Sequence, residues 1–85
     1  MNPIRILLAD DHTVMRRGLR ALLERQAGFA VVAEAADGRE AVDSAAAVSP
    51  DVAVIDIGMP NLNGIEAARR ITEKRQETAD RKSVV

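Results

Sequence analysis

Short apolar runs alternate along this chain with segments of helical period. The run at 4–9, Ile-Arg-Ile-Leu-Leu-Ala, follows Pro3 and stops at Asp10-Asp11. A second begins at Phe29, continues through Ala33 to Ala36 and meets the turn Asp37-Gly38. A third, at 52–57, is Val-Ala-Val-Ile-Asp-Ile and carries one carboxylate, Asp56. Apolar, β-branched runs of this length predict strands buried on both faces.

From His12 the period changes. Met15, Leu19 and Leu22, flanked by Val14 and Leu23, follow i, i+4, i+7 spacing. They predict an amphipathic helix with Asp11 or Thr13 as cap and Gly28 as its stop. Gly18 weakens that helix, and a close approach to the sheet would account for it. Ala41, Val42, Ala45 and Ala46 give a second, small-residue helical face that ends near Ser49-Pro50. A third helix has Ile65, Ala68 and Ile71 as its stripe, Asn61 or Asn63 as cap, and Glu66, Arg69, Arg70, Glu73 and Lys74 in solvent. Residues 76–82 are polar, as a loop would be, and Ser83-Val84-Val85 reads as the opening of a fourth strand.

The order is therefore βαβαβα with the start of a further β, in one domain. Alternation with buried strands predicts an α/β fold, a parallel sheet with helices on both faces. Right-handed crossovers restrict its topology. In open sheets of this kind ligands bind outside the carboxyl ends of the strands, at the switch point, and Asp10, Asp11 and Asp56 all fall there.

Composition narrows the function. With 85 residues, 47% of them hydrophobic, 29% charged and one aromatic, the chain is a small globular domain with an aliphatic core. A net charge of −1 supplies no basic field for nucleic acid. Arg16, Arg17 and Arg20 lack aromatic companions and are interleaved with Glu24, so they read as a solvated helix face. The absence of Cys removes thiolate chemistry and disulfides. The first residues do not form a signal peptide and no apolar run is long enough to span a membrane, so the expected location is the cytoplasm.

Three carboxylates brought to one crevice repel one another. A hard divalent cation relieves this. Mg²⁺ prefers octahedral oxygen ligation and commonly takes one or two protein carboxylates together with phosphate oxygens. A backbone carbonyl beyond Asp56, such as that of Gly58, can add a ligand. The bland alternative is acids that cap helices or sit solvated at strand ends; three together at one sheet edge favour a metal site. His12 reads as a surface residue at a helix start, Met59 as loop packing and Asp37 as a turn residue.

The ordered set Leu8-Ala9-Asp10-Asp11, then Asp37-Gly38-Arg39-Glu40-Ala41-Val42, then Val54-Ile55-Asp56-Ile57-Gly58-Met59-Pro60 with Gly64 resembles the receiver domain of two-component response regulators. The resemblance runs from Ile4 to the end. The segments at 10–18 and 64–68 look most like the LuxR/NarL-type subgroup, whose receivers precede a helix-turn-helix. The resemblance implies a flavodoxin-like sheet of order 2-1-3-4-5. It implies that Asp56 accepts a phosphoryl group from a sensor histidine kinase in a phosphorelay that controls transcription. It further implies Mg²⁺ bound by Asp11 directly, by Asp10 mainly through water, by Asp56 and by the Gly58 carbonyl. Such a module is a regulatory phosphoacceptor rather than an enzyme.

Receivers also use a Ser or Thr after the fourth strand and a Lys after the fifth. Ser83 and Lys82 do not occupy those places. The expectation is therefore the N-terminal part of a receiver, residues 1–85, truncated after the start of strand four and without an output domain. Loss of the later strands would uncover strand three and its helix faces, predicting a homodimer through residues 82–85 or strand three. A non-phosphorylated dimerisation or interaction module is thus the alternative function. A phosphatase with an aspartyl nucleophile is disfavoured, because such enzymes place a second Asp where Gly58 stands.

Overall fold

A computed structural model describes residues 2–78 and 83–84. The elements are β1 (Ile4–Ala9), α1 (Thr13–Glu24), β2 (Phe29–Ala35), α2 (Gly38–Val48), β3 (Val52–Ile55), α3 (Gly64–Thr78) and β4 (Ser83–Val84). All strand pairs are parallel, in the order β2-β1-β3-β4. The predicted α/β architecture and its 2-1-3-4 order are those observed. Residues 79–82 and 85, to which the polar loop and the end of the fourth strand were assigned, lie outside the described residues.

Alternation along the central strand divides the core into two layers. Leu7 and Ala9 point with Ala35, Ala41, Ala53 and Met59 toward α2. Ile6 and Leu8 point the other way with Val31, meeting Leu19 and Leu23 of α1 and Val52 and Val54 of β3. Leu7 and Leu8 are fully buried. Burying one such side chain contributes about 1.5–3 kcal/mol, so this central strand is the largest local source of stability. Met59 belongs to the core itself, closing the α2 layer from the loop after β3.

Several local expectations change. β3 ends at Ile55, so Asp56 stands one residue beyond the strand. Only Ala53 of β3 is buried; its other residues are partly exposed. β4 pairs Ser83 with Val52 and Val84 with Ala53, so the outer edge of β3 is covered over those two residues. The third helix starts at Gly64, later than a cap at Asn61 would place it. Asn63 caps it, its Oδ1 accepting the Glu66 N–H at 2.9 Å, while Asn61 takes a positive φ of 68° in the loop. The buried stripe of α3 is Gly64, Ala67 and Ile71; Ile65 faces solvent. The helix runs on to Thr78, into the first residues of the stretch expected to be loop.

The largest departure is in α1. Its N-cap is His12, with no side-chain cap, instead of Asp11 or Thr13. Leu19 and Leu23 pack on the sheet, but Val14 is 86% exposed, Met15 58% and Leu22 59%. With Gly18 and Ala21 these three line an open apolar groove of about 810 Å³. A Cβ on Gly18 would meet nothing within 4 Å, so the glycine does not mark a close approach to the sheet. A broad apolar arc drives α1 onto the sheet, and the described residues cover only one side of that arc.

Two glycines are required by close approach. A Cβ on Gly64 would overlap the backbone of Asp56, and one on Gly38 would overlap the carbonyl of Leu62. The first α3 residue can thus lie directly against the turn that carries Asp56.

Candidate functional site

The ends of β1 and β3 set the site. The backbone N–H of Asp10 donates to the Ala35 carbonyl at 3.0 Å, and that of Asp56 donates to the Ala9 carbonyl at 2.9 Å. Each acidic residue is therefore held by the last rung of the ladder, on strands adjacent in the sheet. The chain after Asp56 turns back. The Gly58 N–H donates to Asp56 Oδ1 at 3.3 Å, and the Gly64 N–H donates to the Ile57 carbonyl at 2.8 Å.

Asp10, Asp11, His12 and Asp56 each bring one donor atom into a cluster whose atoms lie within 4.8 Å of one another. This unites the three carboxylates singled out in the sequence. Asp10 is the one buried charged residue among those described. Its Oδ1 accepts the His12 backbone N–H at 2.8 Å and lies 3.2 Å from His12 Nδ1. Asp11 differs. Its Oδ1 is enclosed yet has no hydrogen-bond partner. A buried carboxylate oxygen without a donor is costly, and a bound cation would satisfy it. The donor set is all oxygen apart from His12, which suits a hard cation. A cleft of about 390 Å³ runs from Asp10, His12 and Asp56 past Met15 and Leu19 along β1 and β3, leaving the acids reachable from outside.

His12 is 74% exposed at its side chain but is not a bystander. Its Nδ1 also lies 3.1 Å from Asp11 Oδ1. The hydrogen bond to Asp10, followed by the charges of Asp11 and Asp10, raises the imidazole pKa above its ordinary value. Little in the chain's pattern separates this histidine from any other residue at a helix start. Its signal was adjacency to the acid pair.

Arg16 was also underestimated. It is partly buried; its Nε donates to Glu34 Oε1 at 2.8 Å and its Nη1 donates to the Asp10 carbonyl at 2.6 Å. Arg20 joins it on Glu34. Two members of the predicted solvated arginine face thus bind a β2 carboxylate, and Arg16 also supports the loop that carries the acids. Their hydrogen bonds, that from Arg20 foremost, lower the Glu34 pKa against the opposing effect of partial burial. A lone glutamate inside the apolar run at 29–36 was the available signal.

Asp37 stays away from the cluster, as expected of a turn residue. It caps α2, its Oδ1 accepting the Glu40 N–H at 2.8 Å, and Glu40 reaches back to the Ala36 N–H at 3.1 Å. This reciprocal pair resembles a capping box, with the glutamate reaching the residue before the cap. Asn61 Nδ2 donates to Asp37 Oδ2 at 2.8 Å, tying the loop after β3 to the start of α2.

Comparison with known proteins agrees with this geometry. The family model of the response regulator receiver domain matches residues 6–80. The chain is 45% identical over 82 residues to the transcriptional regulatory protein LiaR of Bacillus subtilis (strain 168), covering 96% of this chain and 37% of that protein. A crystal structure of a two-component response regulator of the LuxR family from Aurantimonas sp. SI85-9A1 matches with a TM-score of 0.82 and 43% identity, over 98% of this chain and 58% of that one. The CheX–CheY–BeF3–Mg²⁺ complex from Borrelia burgdorferi matches with a TM-score of 0.79 and 29% identity, over 98% of this chain and 60% of that one. The chain thus spans little more than a third of the LiaR length and under two thirds of these two solved chains. With its parallel order and the acids at its strand ends, it belongs to the response regulator receiver domain family.

Proposed function

We propose that this chain is the phosphoacceptor part of a two-component phosphorelay, with Asp56 accepting the phosphoryl group. The single observation that carries this is the enclosed Oδ1 of Asp11, which has no hydrogen-bond partner and lies in a cluster with Asp10, His12 and Asp56. An enclosed carboxylate oxygen of this kind supports a site completed by a cation. In the relative from Borrelia burgdorferi, Mg²⁺ and BeF3 accompany the protein. Here Asp11 would hold Mg²⁺ directly, Asp10 mainly through water, with Asp56 and the Gly58 carbonyl as the further ligands. The bound ion would neutralise charge on the phosphoryl oxygens.

The remaining work falls to the chain's own residues. Asp56 presents a carboxylate at the mouth of the cleft, held by its backbone bond to Ala9. One of its oxygens attacks phosphorus while the phosphorus–nitrogen bond of a kinase phosphohistidine breaks. The imidazole leaves with the electron pair and takes a proton, and Asp56 becomes an acyl phosphate. The partner would be a sensor histidine kinase in the cytoplasm, and the longer protein would control transcription, as the name of the relative LiaR states for that protein. Among the described residues no helix is long and apolar enough to cross a membrane.

A direct test is ¹⁹F NMR with beryllium fluoride. Bound fluorine signals should appear only when Mg²⁺ is present, and Asp56→Asn should abolish them. Absence of bound signals on the wild-type chain at saturating Mg²⁺ would defeat the proposal.

One observation favours a second reading, an interaction module that works by dimerisation. Val14, Met15 and Leu22 form an open apolar face on α1. Dimerisation through this face, or through the sheet edge beyond β4, is compatible with phosphorylation and is measured independently of it.

A further inference from the structure

The cluster at the strand ends holds one donor that the phosphoacceptor chemistry does not use, the His12 ring. Its Nδ1 stands 3.2 Å from Asp10 Oδ1 and 3.1 Å from Asp11 Oδ1. Metal–ligand bonds of about 2.1 Å place neighbouring donors about 3.0 Å apart in an octahedral shell and about 3.4 Å apart in a tetrahedral one. The hydrogen-bonded separation from Asp10 and the separation from Asp11 both lie between those values. The contact with Asp11 is not a hydrogen bond, since its Oδ1 remains without a partner. The His12 backbone N–H donates to Asp10 Oδ1, which pins the ring's attachment point to the acid it faces. The ring nitrogen and one oxygen of each carboxylate thus lie within 4.8 Å of one another, beside a cleft open to solvent.

We infer that His12 supplies a nitrogen donor to the cation site of Asp10 and Asp11 and shifts its preference from Mg²⁺ toward first-row transition cations. This rests on the assignment of a cation to those two acids. Carboxylate and water ligands suit Mg²⁺ and Mn²⁺, whereas imidazole suits Zn²⁺, Cu²⁺ and Ni²⁺. Replacing one water by Nδ1 strengthens binding of the second group and does nothing for Mg²⁺, which keeps its waters. The ring gives up its proton when the cation binds. His12 is therefore a selectivity residue for the metal and takes no part in accepting the phosphoryl group.

The test uses the full 85-residue chain without a polyhistidine tag. Ni²⁺ and Mg²⁺ are titrated separately into wild type, His12→Asn and Asp11→Asn by calorimetry and amide NMR. His12→Asn should lower Ni²⁺ affinity by about tenfold or more and change Mg²⁺ affinity by less than about twofold, while Asp11→Asn weakens both. His12 is the only histidine, so its ring nitrogens give unambiguous ¹⁵N signals. Diamagnetic Zn²⁺ should shift Nδ1 and abolish its titration. An unchanged Ni²⁺-to-Mg²⁺ ratio in His12→Asn, or tighter binding of both ions, would overturn the inference and mark His12 as a competing cation; Mg²⁺ binding would then still stand. If wild type bound neither ion, the cation site itself would fall and the inference with it.

Discussion

Arg16 of α1 donates through Nη1 to the carbonyl oxygen of Asp10 at 2.6 Å. The helix that packs on one face of the sheet therefore holds the backbone from which the acidic pair springs. Replacing Arg16 by Met keeps the apolar stem and removes this donor and the one to Glu34. The expected loss is about 1–3 kcal/mol in urea unfolding, together with weaker Mg²⁺ binding. Arg17 is exposed, and Arg17→Met should stay within about 0.5 kcal/mol of wild type.

Glu34 receives both Arg16 and Arg20. Its folded pKa lies below the ordinary 4.5. The stabilisation it gives is therefore present above the unfolded-state value and disappears as pH falls through the lower, folded value. Glu34→Gln should cost about 1–2 kcal/mol at pH 7 and progressively less below about pH 4. Parallel urea titrations across that range check the convergence. A constant gap down to pH 3 would show that the loss is not ionic.

Gly64→Ala sets a Cβ into the backbone of Asp56. The clash is with main chain, which cannot rotate away, so the variant should lose about 1–3 kcal/mol. It should also displace the Asp56 carboxylate and slow its phosphorylation more than the loss of folded protein accounts for. Gly18→Ala, with open space around its Cβ, should leave phosphorylation unchanged and gain up to about 1 kcal/mol of helix stability.

Much of this layout was legible in the chain. Six residues of β1 and the acids that end it are plain in 4–11, because a central strand buried on both faces admits almost no polar residue. The cap of α3 is one of the two asparagines singled out, Asn61 and Asn63, while Asp37, read as a turn residue, proves to cap α2. What periodicity could not tell is which part of an apolar arc meets the sheet. Met15 and Leu22 share the period of Leu19 and Leu23, but only the latter two pack on the core side chains of β1 and β2. In the same way Ile65 and Ile71 share a stripe although a single one is buried. The partnership of Arg16 and Arg20 with Glu34 spans 18 and 14 residues, and pairing of that range is fixed by strand order.

The exposed side of α1 yields a contrast between neighbours. Leu23→Ala removes a side chain packed on the sheet and should cost about 2–3 kcal/mol. Leu22→Gln, on the open face, should change stability by no more than about 0.5 kcal/mol. If the face joins two copies, Leu22→Gln and Val14→Gln together should reduce the mass seen by light scattering at micromolar concentration. A monomeric mass for wild type would remove the dimer reading.

The phosphoacceptor assignment is tested most directly by intact-mass spectrometry after incubation with Mg²⁺ and acetyl phosphate. The account predicts one phosphoryl adduct on the wild-type chain, none without Mg²⁺, and none on Asp56→Asn. An unmodified wild type, or an adduct that persists in Asp56→Asn, would contradict it.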